Sequence, residues 1–182
     1  MSGRARSVLR AAALVLVVAA LVHVVALWLL PRVIMRIVID TAGREAVGGW
    51  VAPPPVDHTA RRIVMPSPDL LYALCPYDVS RGPLRFTLAV PPGDQAYWSL
   101  AFYAANTDNY RVINDRSVTG DTVDLLLVRE GNVPRGPSAA TVLRSPSDRG
   151  VMLFRALVRS PADLERAEAL RRGLRCAPQW YP

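Results

Sequence analysis

The sequence predicts an α+β protein: a mostly antiparallel, sandwich-like β domain with one C-terminal helix, preceded by one N-terminal transmembrane helix. Three observations carry that expectation. The segment Val8 to Leu30 is almost wholly Leu, Val and Ala, short stretches of alternating apolar and polar residues recur after Arg61, and residues 160–173 read as one capped helix. The chain has 182 residues, and setting aside the first 50 or so leaves about 130, the size of one domain with a single core.

As a helix, Val8 to Leu30 reaches about 34 Å at 1.5 Å per residue, which matches a hydrocarbon core of roughly 30 Å. Arg10 stands at its leading edge. A cleaved signal peptide has a shorter apolar stretch, about 7 to 15 residues, ending at a small-x-small site. Here the stretch ends in Leu27-Trp28-Leu29-Leu30-Pro31, so a retained anchor is expected. Arg4, Arg6 and Arg10 precede the span and Arg32, Arg36 and Arg44 follow it, so flanking charge does not set orientation. The very short leading tail and the long trailing part do: residues 1–7 are expected in the cytoplasm and the domain in the periplasm, on the inner membrane. Trp28 then falls at the outer interface, where amphipathic rings collect. His23 lies within the span, where an ionisable group is a functional hypothesis by default, but with no polar partner in the helix a neutral imidazole is expected.

Residues 31–60 read as a juxtamembrane stem. Gly43, Gly48, Gly49 and Pro53-Pro54-Pro55 interrupt regular structure between Thr41 and Thr59, and the triple proline favours polyproline II, a stiff spacer that would hold the domain off the bilayer.

Residues 61–182 read as the domain. In Leu84 to Val90, Leu84, Phe86, Leu88 and Val90 alternate with Arg85, Thr87 and Ala89, the period of a half-buried strand. Pro91-Pro92-Gly93-Asp94 is a turn signal. In Gln95 to Ala105, Ala96, Trp98, Leu100, Phe102 and Ala104 share one face, and the two strands joined by four turn residues predict a hairpin. Further strands are expected at Arg62 to Met65, Leu70 to Tyr77, Tyr110 to Ile113, Thr122 to Arg129, Ala139 to Leu143 and Val151 to Arg159, with Thr122 to Arg129 apolar on both faces and therefore central. Ser160 suits an N-cap, Pro161 the first helical position, Asp163 the positive end and Gly173 the stop. Leu164, Ala167, Leu170 and Leu174 form one apolar stripe, so this helix is expected on the sheet.

Composition excludes some chemistry. Net charge is +7, but residues 1–62 hold eight Arg against three acids and the remainder fourteen against twelve. The domain is thus nearly neutral with its Arg scattered singly, unlike a nucleic-acid binder. No phosphate loop, dinucleotide fingerprint, EF-hand or Gly-x-Ser-x-Gly elbow is present. His58 is the only histidine outside the span and only two cysteines exist, too few ligands for zinc, and no cofactor is expected. Cys75 and Cys176 suit a disulfide in an oxidising compartment, against the alternative of two buried thiols.

Polar residues gather in Asn106-Thr107-Asp108-Asn109 and Asn114-Asp115-Arg116. Loops on a rigid scaffold are where function resides, so Asn106, Asp108, Asn109, Asn114 and Asp115 are candidate binding residues. Asp69, Asp108 and Asp115 are candidate acid and base groups if the fold brings a pair to the required separation. The bland reading is that Asn and Asp serve turns.

Met65-Pro66-Ser67-Pro68-Asp69-Leu70-Leu71-Tyr72, Cys75-Pro76-Tyr77-Asp78, Tyr97-Trp98-Ser99-Leu100, Asn106-Thr107-Asp108-Asn109-Tyr110, Asn114-Asp115 and Arg149-Gly150-Val151-Met152-Leu153-Phe154 occur in that order. Together they resemble the domain of unknown function 1254 family over roughly Arg61 to Pro178, in its short membrane-anchored bacterial form. Longer members add a domain of unknown function 1214, so the resemblance implies a membrane partner protein that carries it. The family brings no established activity and no catalytic residues. The expected function is therefore that of an envelope protein that binds a partner protein or an envelope glycan. The alternative is a periplasmic carbohydrate-active enzyme using the loop carboxylates.

Overall fold

A computed structural model describes residues 3–46, 49–60, 66–91, 96–118, 120–132 and 140–179. A single helix α1 (Gly3–Glu45) leads into eight strands, β1 (Leu70–Asp78), β2 (Leu84–Ala89), β3 (Trp98–Ala104), β4 (Asn109–Asn114), β5 (Thr122–Arg129), β6 (Thr141–Ser145), β7 (Arg149–Leu157) and β8 (Arg175–Pro178), with helix α2 (Pro161–Gly173) before the last. The expected strand at Arg62 to Met65 lies outside the described residues, as do Pro92 to Gln95 and Ala139.

The strands form two four-stranded sheets, β1-β7-β3-β4 and β6-β5-β2-β8. All pairings are antiparallel except β5 with β6. β5 is an interior strand of its sheet, in keeping with its two apolar faces. The sheets share one core: Leu71, Ala73 and Cys75 from β1, Trp98, Leu100 and Phe102 from β3, and Met152 and Phe154 from β7 meet Phe86 and Leu88 from β2 and Leu125 and Leu127 from β5. Phe86 and Phe102 touch edge to face across the layer, with centroids 5.4 Å apart, the arrangement the ring quadrupole favours.

The hairpin expected between β2 and β3 does not form, because the two strands lie in opposite sheets. Alternation fixes which face of a strand is buried, not which strand is its neighbour. β3 pairs with β7 and β4, and with Ser99 and Ala101 fully buried it is covered on both faces. Such a strand belongs in the middle of a sheet rather than at the edge of a two-stranded ribbon.

Helix α2 begins as its sequence dictates. The Ser160 hydroxyl accepts from the Asp163 amide and Pro161 opens the first turn, which satisfies an otherwise orphaned donor. Its stripe Ala167, Leu170 and Leu174 joins the common core, and the helix contacts β2 of one sheet and β1 and β7 of the other. It therefore closes the sandwich rather than lying on one sheet. From its end β8 pairs with β2, placing Cys176 opposite Phe86. Cys75 and Cys176 form a disulfide that ties β1 in one sheet to β8 in the other, 101 residues apart in sequence.

Helix α1 departs most from expectation. It runs unbroken through Pro31 to Glu45, so the first half of the expected stem is helix. Val8, Leu14, Leu21, Leu27 and Leu30 are more than half exposed, so nothing among the described residues covers this part of the helix. After Leu30 the character changes. Met35, Ile39 and Ala42, spaced along one helical face, are buried, and the first two pack with Val38 against Leu74, Tyr103 and Val151 on the outer face of the β1-β7-β3 sheet. The Arg149 guanidinium adds an ion pair to Asp40 at 2.6 Å. The chain then returns along the domain: Val51 pairs with Leu74, and Arg171 donates to the Pro53 carbonyl. Gly49 has φ of 90° and sits where a Cβ would overlap the Cys176 carbonyl, a position only glycine fills without strain. Val51 and Pro53 are thus held on the domain by a backbone bridge and an Arg171 donor, rather than standing off it as a free spacer.

A polar knot closes one end of the core. The Tyr77 hydroxyl donates to the Tyr103 carbonyl at 3.0 Å and lies 2.9 Å from the Tyr110 hydroxyl and 3.1 Å from Ser145 Oγ. Gly150 admits this ring, since a Cβ there would overlap both the Tyr77 hydroxyl and the Tyr103 carbonyl. Burial pushes the Tyr77 and Tyr110 phenols above their ordinary value. Their neutral forms are therefore favoured by folding, and this stabilisation is complete below about pH 10 and lost as pH rises through the raised values.

Three outcomes are expected. Replacing both cysteines with alanine should lower the unfolding free energy of the full chain in detergent by roughly 2 to 5 kcal/mol; an unchanged urea midpoint would refute a stabilising bridge. Gly150→Ala should cost roughly 1 to 3 kcal/mol in the same assay, because the overlapping carbonyl is backbone. Stability should decline above about pH 10, more steeply in the native chain than in Tyr77→Phe; parallel alkaline profiles would show that the phenol knot contributes nothing.

Candidate functional site

Where α1 crosses the outer face of the first sheet it leaves an open cleft of about 510 Å³. One wall is helical, with Arg32, Arg36 and Ile39, and the other is formed by two turns, with Asn106 and Asp108 after β3 and Ser147 and Arg149 before and at the start of β7.

Each turn is set by its own polar residues. Between β3 and β4 the Ala104 amide donates to the Asp108 carbonyl at 2.9 Å and the Thr107 amide to the Ala104 carbonyl at 3.0 Å. Asn106 Nδ2 donates to Asp108 Oδ2 at 2.5 Å. Thr107 adopts φ of 74°, a left-handed conformation that a β-branched residue takes only when its surroundings impose it. The second turn is stitched to the first by Ser147, whose hydroxyl accepts from the Ala105 amide at 2.9 Å and donates to the Arg149 carbonyl at 2.8 Å. The knot reaches the same turn, since Ser145 Oγ donates to the Ser147 carbonyl at 2.7 Å. The cleft's turn wall is therefore rigidly coupled to the core.

Positive charge dominates the lining. Arg32 stacks on the Trp28 ring, 4.2 Å from its centroid, and donates to the Trp28 carbonyl. Arg36 is largely exposed and only 3.8 Å from Asp40. Arg149 sits between Asp40 and, at 4.0 Å, Asp78. Partial burial works against ionisation of Asp78, but the Ser80 hydroxyl and amide, with Arg149, hold its carboxyl below the usual range.

The structure divides the sequence candidates. Asn106 and Asp108 line the cleft and Asn109 begins β4 beside them. Asn114 closes the other end of β4 and Asp115 follows it, about 17 to 20 Å away at strand rise. Asn114 serves its own turn, its Oδ1 accepting from the Arg116 amide and its amide donating to Ser117 Oγ. Asp115 Oδ1 is buried without a hydrogen-bond partner among the described residues. Asp69 precedes β1, the opposite edge of the sheet from β4, three strand spacings or about 14 Å from Asp115. Carboxylate pairs of glycoside-hydrolysing enzymes stand roughly 5 to 9.5 Å apart, and the fold gathers no two of these three. Among the described residues no three His, Cys, Asp or Glu cluster as metal ligands. Sequence reasoning missed Arg32, Arg36, Ser147 and Arg149. The four-residue spacing of the first two just past the apolar run was a readable signal; Ser147 and Arg149 carried none.

No curated protein matches the chain. The fold resembles that of the VPA0106 protein from Vibrio parahaemolyticus, at 12% identity and a TM-score of 0.62 over 84% of this chain. An uncharacterized protein from Burkholderia cenocepacia matches over 82% of the chain at 19% identity with a TM-score of 0.47. The chain spans 39% and 41% of the lengths of those two structures. The model of the protein family of unknown function DUF1254 matches residues 50–178, which takes in all eight strands and α2, and the chain belongs to that family.

Proposed function

We propose that this is a single-pass inner-membrane protein, cytoplasmic at its N-terminus, whose periplasmic domain acts by binding a partner protein or an envelope glycan. The observation that carries the reading is the cleft at the foot of the helix, open, edged by a few polar groups and locked in shape by Ser147 and the Asn106–Asp108 turn. Preformed concavities with a few fixed polar groups are the usual form of a binding site. The uncovered apolar part of α1 supports membrane insertion, and the disulfide supports an oxidising compartment. A membrane protein carrying the domain of unknown function 1214 is the protein partner we favour, since the similar solved structures are more than twice as long as the part matched.

The competing reading is a carbohydrate-active enzyme using Asp69, Asp108 or Asp115, and the distances between them weigh against a paired mechanism. A photo-crosslinking residue at position 106, installed in the full chain in its native membrane, should yield a discrete product that Arg149→Glu abolishes. Asp69→Asn and Asp115→Asn should each complement a deletion strain as well as the native chain does. Loss of complementation in either, with stability and the crosslinked product intact, would favour the enzyme.

A further inference from the structure

We propose that the cleft holds the headgroup of a phospholipid drawn from the leaflet through which α1 emerges, with phosphoethanolamine as the group it fits. The inference rests on the membrane anchoring proposed above and goes beyond the partner or glycan reading by giving the cleft a lipid ligand as well.

Height is the first argument. At 1.5 Å per residue, Arg32 and Arg36 stand about 3 Å and 9 Å along the helix beyond Leu30, and the headgroup layer outside the hydrocarbon is about 5 to 8 Å thick. Both line the cleft, so its mouth reaches from headgroup depth, at Arg32, to just outside that layer, at Arg36. Trp28, one turn earlier and stacked under Arg32, is the ring type that settles at that boundary.

Charge is the second. A guanidinium has five donors in a fixed fork. Arg32 commits one donor to the Trp28 carbonyl and Arg149 one to Asp40, and the Arg36 ion pair is long. Three arginines with donors to spare, facing Asp40 and, 4.0 Å from Arg149, Asp78, suit a phosphodiester, which guanidinium binds in forked geometry. Asp108 faces the same space from the turn wall, held by Asn106. A bare phosphate would be repelled by it, whereas phosphoethanolamine presents a phosphate to the arginine wall and an ammonium, two carbons on, to Asp108. Phosphocholine has the same charges but no N–H donors for that carboxylate.

The full chain in detergent, titrated with phosphatidylethanolamine, phosphatidylcholine or phosphatidylglycerol and read by native mass spectrometry, tests this. One phosphatidylethanolamine should be retained at least tenfold more tightly than phosphatidylcholine. Arg32→Gln/Arg36→Gln, which leaves the Arg149–Asp40 pair in place, should weaken retention of all three lipids about tenfold, while Arg4→Gln/Arg6→Gln at the far end of the helix should not. Asp108→Asn should keep phosphate-dependent retention but erase the preference for ethanolamine over choline. Equal retention of the three lipids, no effect of Arg32→Gln/Arg36→Gln, or displacement of the lipid by inorganic phosphate alone would overturn the proposal. Extraction of the chain from membranes by alkaline carbonate would instead refute the anchoring on which it rests, so the two failures are distinguishable.

Discussion

The apolar layer between the two sheets is the constraint from which the rest of the structure follows. Phe86 and Leu88 on one side and Trp98, Leu100, Phe102 and Phe154 on the other are essentially without solvent exposure, and that burial is the dominant favourable term in folding. Once this layer is filled, β2 and β3 must face each other across it, α2 must cover its open side with Ala167 and Leu170, and Cys75 and Cys176 meet. The bridge restrains the unfolded chain over a long loop. It locks a packing that side-chain shape already selects.

A second consequence falls on the outer face of the first sheet. A sheet with one face on the core and the other carrying Leu74, Tyr103 and Val151 has apolar surface left to cover. The end of α1 supplies Met35 and Ile39 for that purpose, with the Asp40–Arg149 pair at the margin. An exposed ion pair contributes little by itself, so the apolar contact carries the docking and the charges set its register. The domain is thereby coupled to the helix at a fixed height, and the cleft is the space left where a cylinder meets the turns at the end of a twisted sheet.

The same geometry explains why the polar turns are rigid. The Tyr77 and Ser145 hydroxyls and the Ser147 carbonyl link the core to the cleft wall, where the Ser147 hydroxyl ties the two turns together, and a buried network satisfied at each link specifies a single arrangement. Thr107 holds its unusual conformation within this frame. The cleft thus has one wall fixed by the core and another by the helix that enters the bilayer under our proposal.

The sequence alone determined the local features of this protein. The length of the apolar run, the alternation along β2 and β3, the two apolar faces of β5, the Ser160 cap and the pairing of two lone cysteines were all legible, because each depends on neighbouring residues or on a count. So was the family resemblance, carried by short ordered motifs. Tertiary structure alone decided which sheet each strand joined, because alternation encodes a face and not a partner. It decided that α1 continues through Pro31 to Glu45, because three residues in one register, Met35, Ile39 and Ala42, found a sheet face that no local pattern announces. It split the Asn106–Asp108 and Asn114–Asp115 candidates to opposite ends of β4, for a strand separates its ends by its own length. And it assembled Arg32 and Arg36 with Ser147 and Arg149, two pairs more than one hundred positions apart that only the docking of helix on sheet brings together.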